Sequence, residues 1–184
     1  MKILKKTFLL FAAVILLSAN SFAQPRNVIK ANLLSPFIKS GSFFYERAIN
    51  DEMSLVGGFF FTNWSPDDYT SLTGYGLTFE YRYYLSEERI APSGAFLAPF
   101  VRYQKFTVTE ELDAETNEGT ITGFGGGLLV GYQRLFKDRI TLEAFVGPAY
   151  YGANAEVTSG SAVPENDQVS GFTIRFGVTV GVAF

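Results

Sequence analysis

Seven charged residues stand out by position: Lys30, Glu46, Glu80, Arg82, Arg102, Glu143 and Arg175 each fall inside a segment of alternating bulky and small residues. Strand parity puts all seven on the row opposite the bulky apolar one. Cations and carboxylates sharing one face can pair with one another and with Asn32, Gln104 and Gln133. The chemistry expected of them is a connected ion-pair and hydrogen-bond network, because buried charge is tolerated only when it is paired. Arg175 needs a carboxylate, and Glu80 and Glu143 are the candidates.

Patterns for catalysis are missing by comparison. The chain has no histidine, which removes most hydrolytic triads and His-containing zinc sites. It has no cysteine either, so neither disulfides nor a lipid-modified cysteine can hold it. The glycine-rich stretch GFGGGLLVG at 123–131 lacks the Lys-Ser/Thr of a phosphate loop and does not complete G-x-G-x-x-G. Asp113, Glu115 and Asn117 space oxygen ligands alternately but miss the glycine and the terminal glutamate of a calcium loop. No catalytic, cofactor-binding or metal-binding residue is expected, and the chain is not read as an enzyme.

The charges need elements to position them. The chain opens MKILKK, runs through an apolar stretch and reaches Ser21-Phe22-Ala23, the pattern of a secretory signal peptide over 1–23. Removing it leaves 24–184 as one domain and takes Lys2, Lys5 and Lys6 away from a net charge of −3. The acidic remainder argues against nucleic acid as a partner, since phosphate binding needs clustered Lys and Arg. With 18 glycines, 16% aromatic residues and no long amphipathic helical pattern, the segments read as strands. They fall at 28–37, 42–50, 53–63, 73–85, 95–109, 120–135, 140–153 and 170–184, eight in all. An even number suits an all-β, eight-stranded antiparallel up-and-down transmembrane β-barrel. Breaks at 50–52 and 136–139 are tight turns and that at 86–94 is somewhat longer, and these three lie at the rim where the chain ends. Those at 65–72, 110–119 and 154–168, at the other rim, are longer than the tight turns and richer in acid, Ser, Asn and Gly. Short turns at one rim and long loops at the other match an outer-membrane barrel.

The final thirteen residues, FTIRFGVTVGVAF, state the question of faces most plainly. A soluble lipocalin-like barrel would turn the apolar row inward and leave the other row in water. Soluble outer faces are rich in Lys, Glu, Asp and Arg. Here the second row is mostly Gly, Thr and Ala, which suits the narrow interior of an eight-stranded barrel. The apolar row is therefore assigned to lipid and the charges to a polar, plugged lumen.

The segments Ser21-Phe22-Ala23-Gln24 and Val28-Ile29-Lys30-Ala31-Asn32-Leu33-Leu34, with the hairpin FFYERAINDEMSL over 43–55, resemble the small eight-stranded outer-membrane barrels of Gram-negative bacteria. The likeness is to the OmpA/OmpX type and to barrel families common in Bacteroidota. It implies a bacterial outer-membrane location after signal-dependent export. Outer-membrane lipid and lipopolysaccharide are the implied surroundings, and the barrel assembly machinery the implied biogenesis partner. Val182 and Phe184 resemble the assembly signal, although Thr179 stands where that signal has a glycine. No peptidoglycan-gripping domain is expected after Phe184. The role expected is structural or surface-interacting, through extracellular loops and an unspecified ligand. A narrow channel for small or apolar solutes is the alternative, and a lipid-modifying enzyme ranks below both.

Overall fold

The computed structural model describes residues 25–65, 70–85, 90–112, 115–159 and 168–184. The expected signal peptide lies outside the described residues. Eight strands close into one antiparallel barrel in sequence order. They are β1 (Asn27–Asn32), β2 (Ser40–Ala48), β3 (Met53–Trp64), β4 (Thr70–Tyr84), β5 (Gly94–Leu112), β6 (Glu115–Phe136), β7 (Ile140–Ser159) and β8 (Gln168–Ala183). Closure runs through β1 and β8, from Val28↔Ala183 to Asn32↔Thr179. Phe184 completes it by exchanging backbone hydrogen bonds with Asn27 at 2.8 and 3.1 Å.

The two residue rows separate to opposite faces. Leu77, Phe79, Tyr81 and Tyr83 of β4 lie exposed on the outside, while Thr78, Glu80, Arg82 and Tyr84 are buried inside. β7 and β8 divide in the same way, with Leu142, Val146, Ile174 and Phe176 outside and Glu143, Phe145, Arg175 and Thr179 inside. Glycines on the inner row make room for rings on neighbouring strands. At Gly131 a Cβ would lie within 2.8 Å of the Ala144 carbonyl oxygen and collide with the Phe96 ring.

Two parts of the architecture correct the sequence reading. The first strand was expected over 28–37, but β1 stops at Asn32. The Asn32 Oδ1 accepts the Leu34 N–H at 2.9 Å, and Ser35–Ile38 then form a 3-10 turn with Pro36 near its start. Proline has no N–H to give to a ladder and its fixed φ starts such a turn. Lys39, at φ 50°, returns the chain into β2. The second correction is at the far rim, where loops were expected over 110–119 and 154–168. Strand pairing continues instead to Leu112↔Glu115 between β5 and β6, and β7 runs on past 154 to Ser159 paired with β6, while its pairing with β8 ends at Asn154↔Gln168 as expected. Among the added residues Thr116, Val157 and Thr158 are β-branched and favour extended backbone. Most of the others, including Glu110, Glu111, Glu115, Asn117, Glu118 and Glu156, are polar, so the apolar alternation fades before the strands do.

β1 is therefore far shorter than its neighbour β8. β8 pairs along its length with β7 but meets β1 only over 179–183, with one further bond from Leu33 N–H to the Val178 carbonyl at 2.8 Å. Between β8 and the 3-10 turn the barrel wall has a cleft.

Candidate functional site: the interior of the barrel

Five strands, β1, β2, β4, β7 and β8, bring the carboxylates and cations together toward the short-turn rim. Lys30 on β1 donates to Glu46 Oε2 at 2.8 Å, to Gln133 Oε1 at 3.0 Å and to Glu143 Oε2 at 2.5 Å. Arg82 on β4 holds Glu143 with two bonds, Nη1 to Oε2 at 2.8 Å and Nη2 to Oε1 at 3.0 Å. The same guanidinium reaches Glu80 Oε2 through Nη2 at 2.7 Å and Nε at 3.0 Å. Arg175 Nη2 on β8 closes the set on Glu80 Oε1 at 2.8 Å. Arg82 also stacks 4.3 Å from the centre of the Phe96 ring, and Arg175 lies 4.6 Å from that of Phe100.

Three cations thus face three carboxylates, and the side chains of Lys30, Glu46, Glu80 and Glu143 have no exposure at all. Buried ions carry a desolvation cost that only good geometry and full hydrogen bonding offset. Glu46 shows how completely this is done: its Oε1 accepts Ser54 Oγ at 2.5 Å and the Tyr84 hydroxyl at 2.6 Å. Its Oε2 takes Gln133 Nε2 at 3.0 Å in addition to Lys30. Several of these bonds span the bore. Arg175 to Glu80 joins β8 to β4, and Gln133 to Glu46 joins β6 to β2, strands that stand on opposite walls of an eight-stranded barrel.

A short segment, Ala91–Ser93, lies against the network at the short-turn rim. Ala91 and Ser93 are buried, and Ala91 packs with Ala48, Tyr84 and Phe96. The segment is tied by Ala91 N–H to the Asp51 carbonyl at 2.7 Å and by Gln133 Nε2 to the Pro92 carbonyl at 2.6 Å.

Of the seven charges singled out in the sequence, six meet in this network. Arg102 faces inward but stands apart, because register places it beside Thr78 and Gly125, farther from the short-turn rim than Glu80. Glu80 Oε1 goes to Arg175, and among the described residues Arg102 has no ion pair. Its guanidinium lies 4.0 Å from the centre of the Phe60 ring, and its Nε is buried without a hydrogen-bond partner. Gln133 joins the network. Asn32 caps the turn after β1, and Gln104 lines a cavity beside Arg102. Tyr84 and Ser54 are members the sequence reading did not single out. Both lie on the inner row, so parity combined with a hydroxyl was the signal available.

Above the network the bore is hollow. A cavity of about 330 Å³ lies between Phe44, Phe60, Phe106 and the two arginines Arg102 and Arg175. A second, of about 550 Å³, runs from Arg102, Gln104 and Tyr151 to Phe172 and Ile174 on the outer face of β8. No described residue lining either cavity is acidic. The oxygen-rich stretch at 113–119 lies partly outside the described residues. The described residues hold no group of three or more metal-ligating side chains.

No curated protein matches the chain. Among solved structures, the translocator domain of autotransporter NalP from Neisseria meningitidis is similar with a TM-score of 0.46 and 10% identity, over 98% of this chain and 69% of that one. The sequence profile of DUF3575, described as a protein of unknown function, matches residues 7–180, and the chain belongs to that family.

Proposed function

We propose that this protein is a bacterial outer-membrane β-barrel with a closed, non-conducting lumen, and that it serves as a structural or surface-interaction element of the cell envelope. One observation carries the reading: the polarity of the barrel is inverted. Charged side chains with no exposure fill the inside, while Phe59, Phe61, Leu77, Phe79, Val101, Leu142 and Val146 lie exposed outside. Soluble monomers rarely expose one contiguous apolar surface of this extent. In lipid the same arrangement is favourable, because an Arg or Lys facing the membrane midplane would cost about 2–4 kcal/mol.

The interior supports closure. Hydrogen-bonded struts cross the bore and the tucked segment around Ala91 seals the space below them, so no continuous aqueous path is available at that level. The long strands β5 to β7 rise at the rim away from the short turns and offer the contact surface. In this reading the signal peptide, the lipopolysaccharide environment and recognition of Val182 and Phe184 by the assembly machinery belong to biogenesis. A second reading, a conduit for small or apolar solutes, draws on the cavities above the network.

Reconstitution separates the readings. The refolded chain should enter lipid vesicles in a protease-resistant, heat-modifiable form and give no steady conductance in planar bilayers. A large, non-gating conductance would remove the closed-lumen proposal, and failure to insert would remove the membrane one.

A further inference from the structure

The cleft between β8 and the 3-10 turn joins the lumen to the outer face of the barrel. Its shape follows from a difference in strand length: β1 ends at Asn32, whereas β8 continues from 179 back to Gln168. Residues Phe184, Val182, Val180 and Val178 form the series whose backbone groups point to β1. Continued by parity, Phe176, Ile174 and Phe172 turn their N–H and C=O groups into the cleft, where β1 no longer reaches. Residues from both faces of β8 line one cavity, Arg175 of the inner row and Phe172, Ile174 and Phe176 of the outer row. That is possible only where a sheet edge is open.

The cavity has two chemically distinct ends. At the inner end lie Arg102 and Arg175, the latter only 9% exposed, and the Nε of one and the Nη1 of the other are buried without partners. Arg175 is half satisfied by Glu80, and Arg102 has no carboxylate partner among the described residues. The network below is charge-balanced, so Arg102, whose guanidinium also hydrogen-bonds Tyr151, leaves this level with an excess positive charge and an unpartnered Nε donor. At the outer end Ile38, Phe172, Ile174 and Phe176 are heavily exposed apolar side chains, at 71, 84, 68 and 64%. Gly171 beside them leaves open space where a Cβ would stand.

We propose that the cleft binds a single-chain amphiphile with an anionic head group, a carboxylate or a phosphate monoester, taken up from the lipid side. The head group sits between Arg102 and Arg175, where planar guanidinium forks suit either anion. The acyl chain leaves through the gap and lies along Ile38, Ile174 and Phe176. The inference rests on the membrane reading, which also sets the height of the cleft. With a rise of about 3.3 Å and a tilt near 40°, Phe176 stands roughly 20 Å above Phe184 and Phe172 roughly 30 Å. A hydrocarbon band about 25 Å tall therefore ends beside the cleft, in the leaflet facing away from the short turns. An acyl chain there would be in lipid while its head group reached the arginines.

The test uses the full barrel refolded in a neutral detergent and native mass spectrometry. Stearate and oleoyl lysophosphatidate are compared with stearyl alcohol. A one-to-one complex with either anion, at least about tenfold tighter than with the alcohol, is expected, since a charged hydrogen-bonded head group carries that much discrimination. The tighter of the two anions names the head group. Arg102→Gln, which lies outside the ion network, should lose about tenfold or more in affinity, and Gly171→Trp should block entry. Equal binding of the alcohol, or unchanged affinity in Arg102→Gln, overturns the proposal. Slow hydrogen exchange at the amides of Phe172, Ile174 and Phe176 without amphiphile would show the edge covered by a peptide strand and overturns it as well, whereas Thr173 and Arg175 pair with β7 in either case. Vesicle insertion is scored separately, so failure of the membrane reading is distinguishable from failure of this one.

Discussion

Replacing Glu143 by Gln removes one charge from a balanced set and is the sharpest probe of the interior. Glu143 accepts from Lys30 and twice from Arg82, with no solvent contact at its side chain. The amide can keep one acceptor, but its NH2 must then face a guanidinium or an ammonium, donor against donor. Three buried cations would be left with two carboxylates. Removing one partner of a buried pair costs about 3–5 kcal/mol, and the same loss is expected here. Lys30→Met combined with Glu143→Gln restores balance, leaving Arg82 and Arg175 against Glu46 and Glu80. The double variant should be more stable than the sum of the single effects by about 1–3 kcal/mol. Urea unfolding in lipid vesicles, followed by fluorescence of Trp64, the chain's single tryptophan, measures each corner of the cycle. A Glu143→Gln loss below about 0.5 kcal/mol, or strictly additive effects, would refute the view that these charges act as one unit.

Other expectations are narrower. Gly147→Val should destabilise the barrel by about 1–3 kcal/mol or block folding, because a Cβ there would press on the Leu128 carbonyl oxygen; heat-modifiable migration on gels reports it. Lys137 and Asp138 both hold positive φ, at 49° and 54°, in the turn between β6 and β7. Substituting Asn and Gly there should stabilise the hairpin by about 1 kcal/mol, read as a shift in the urea midpoint. Phe184→Ala should slow assembly in cells while leaving the purified barrel able to fold in detergent. Equal outer-membrane yield would remove Phe184 from the assembly signal.

Much of the interior is legible in the sequence, because a closed sheet obeys parity. Once the glycine-rich rows were assigned inward, Lys30, Glu46, Glu80, Arg82, Glu143 and Arg175 had to share one bore. Parity gives the face and not the height, which is why Arg102 was grouped with charges it does not touch. Height depends on register between strands, and register is fixed by turns such as that at Asn50, which the sequence pattern marks only loosely. The end of β1 was hidden for a different reason. Leu33 and Leu34 continue an apolar run, and the bond from Asn32 to the Leu34 amide that ends the strand leaves no mark on hydropathy. The residues at 110–112, 115–119 and 154–159 fall outside the expected strands because most of them are polar, so pairing continues where periodicity does not.

On the proposed membrane reading, the unequal strand lengths bear on the bilayer itself. β2 has 9 residues and β6 has 22, so the barrel is cut obliquely, low beside β1 and tall on the opposite flank. At about 2.5 Å of height per tilted residue, the low side offers little more than 20 Å of wall, whereas the tall flank exceeds 50 Å. A short apolar wall draws the surrounding bilayer thinner, and a tall one does not. Lipids circling this protein would meet a shallow side and a deep side, with acyl chains most compressed next to the cleft. The barrel would then act on its membrane as a local gradient of thickness, with the weakest packing where its wall stands open.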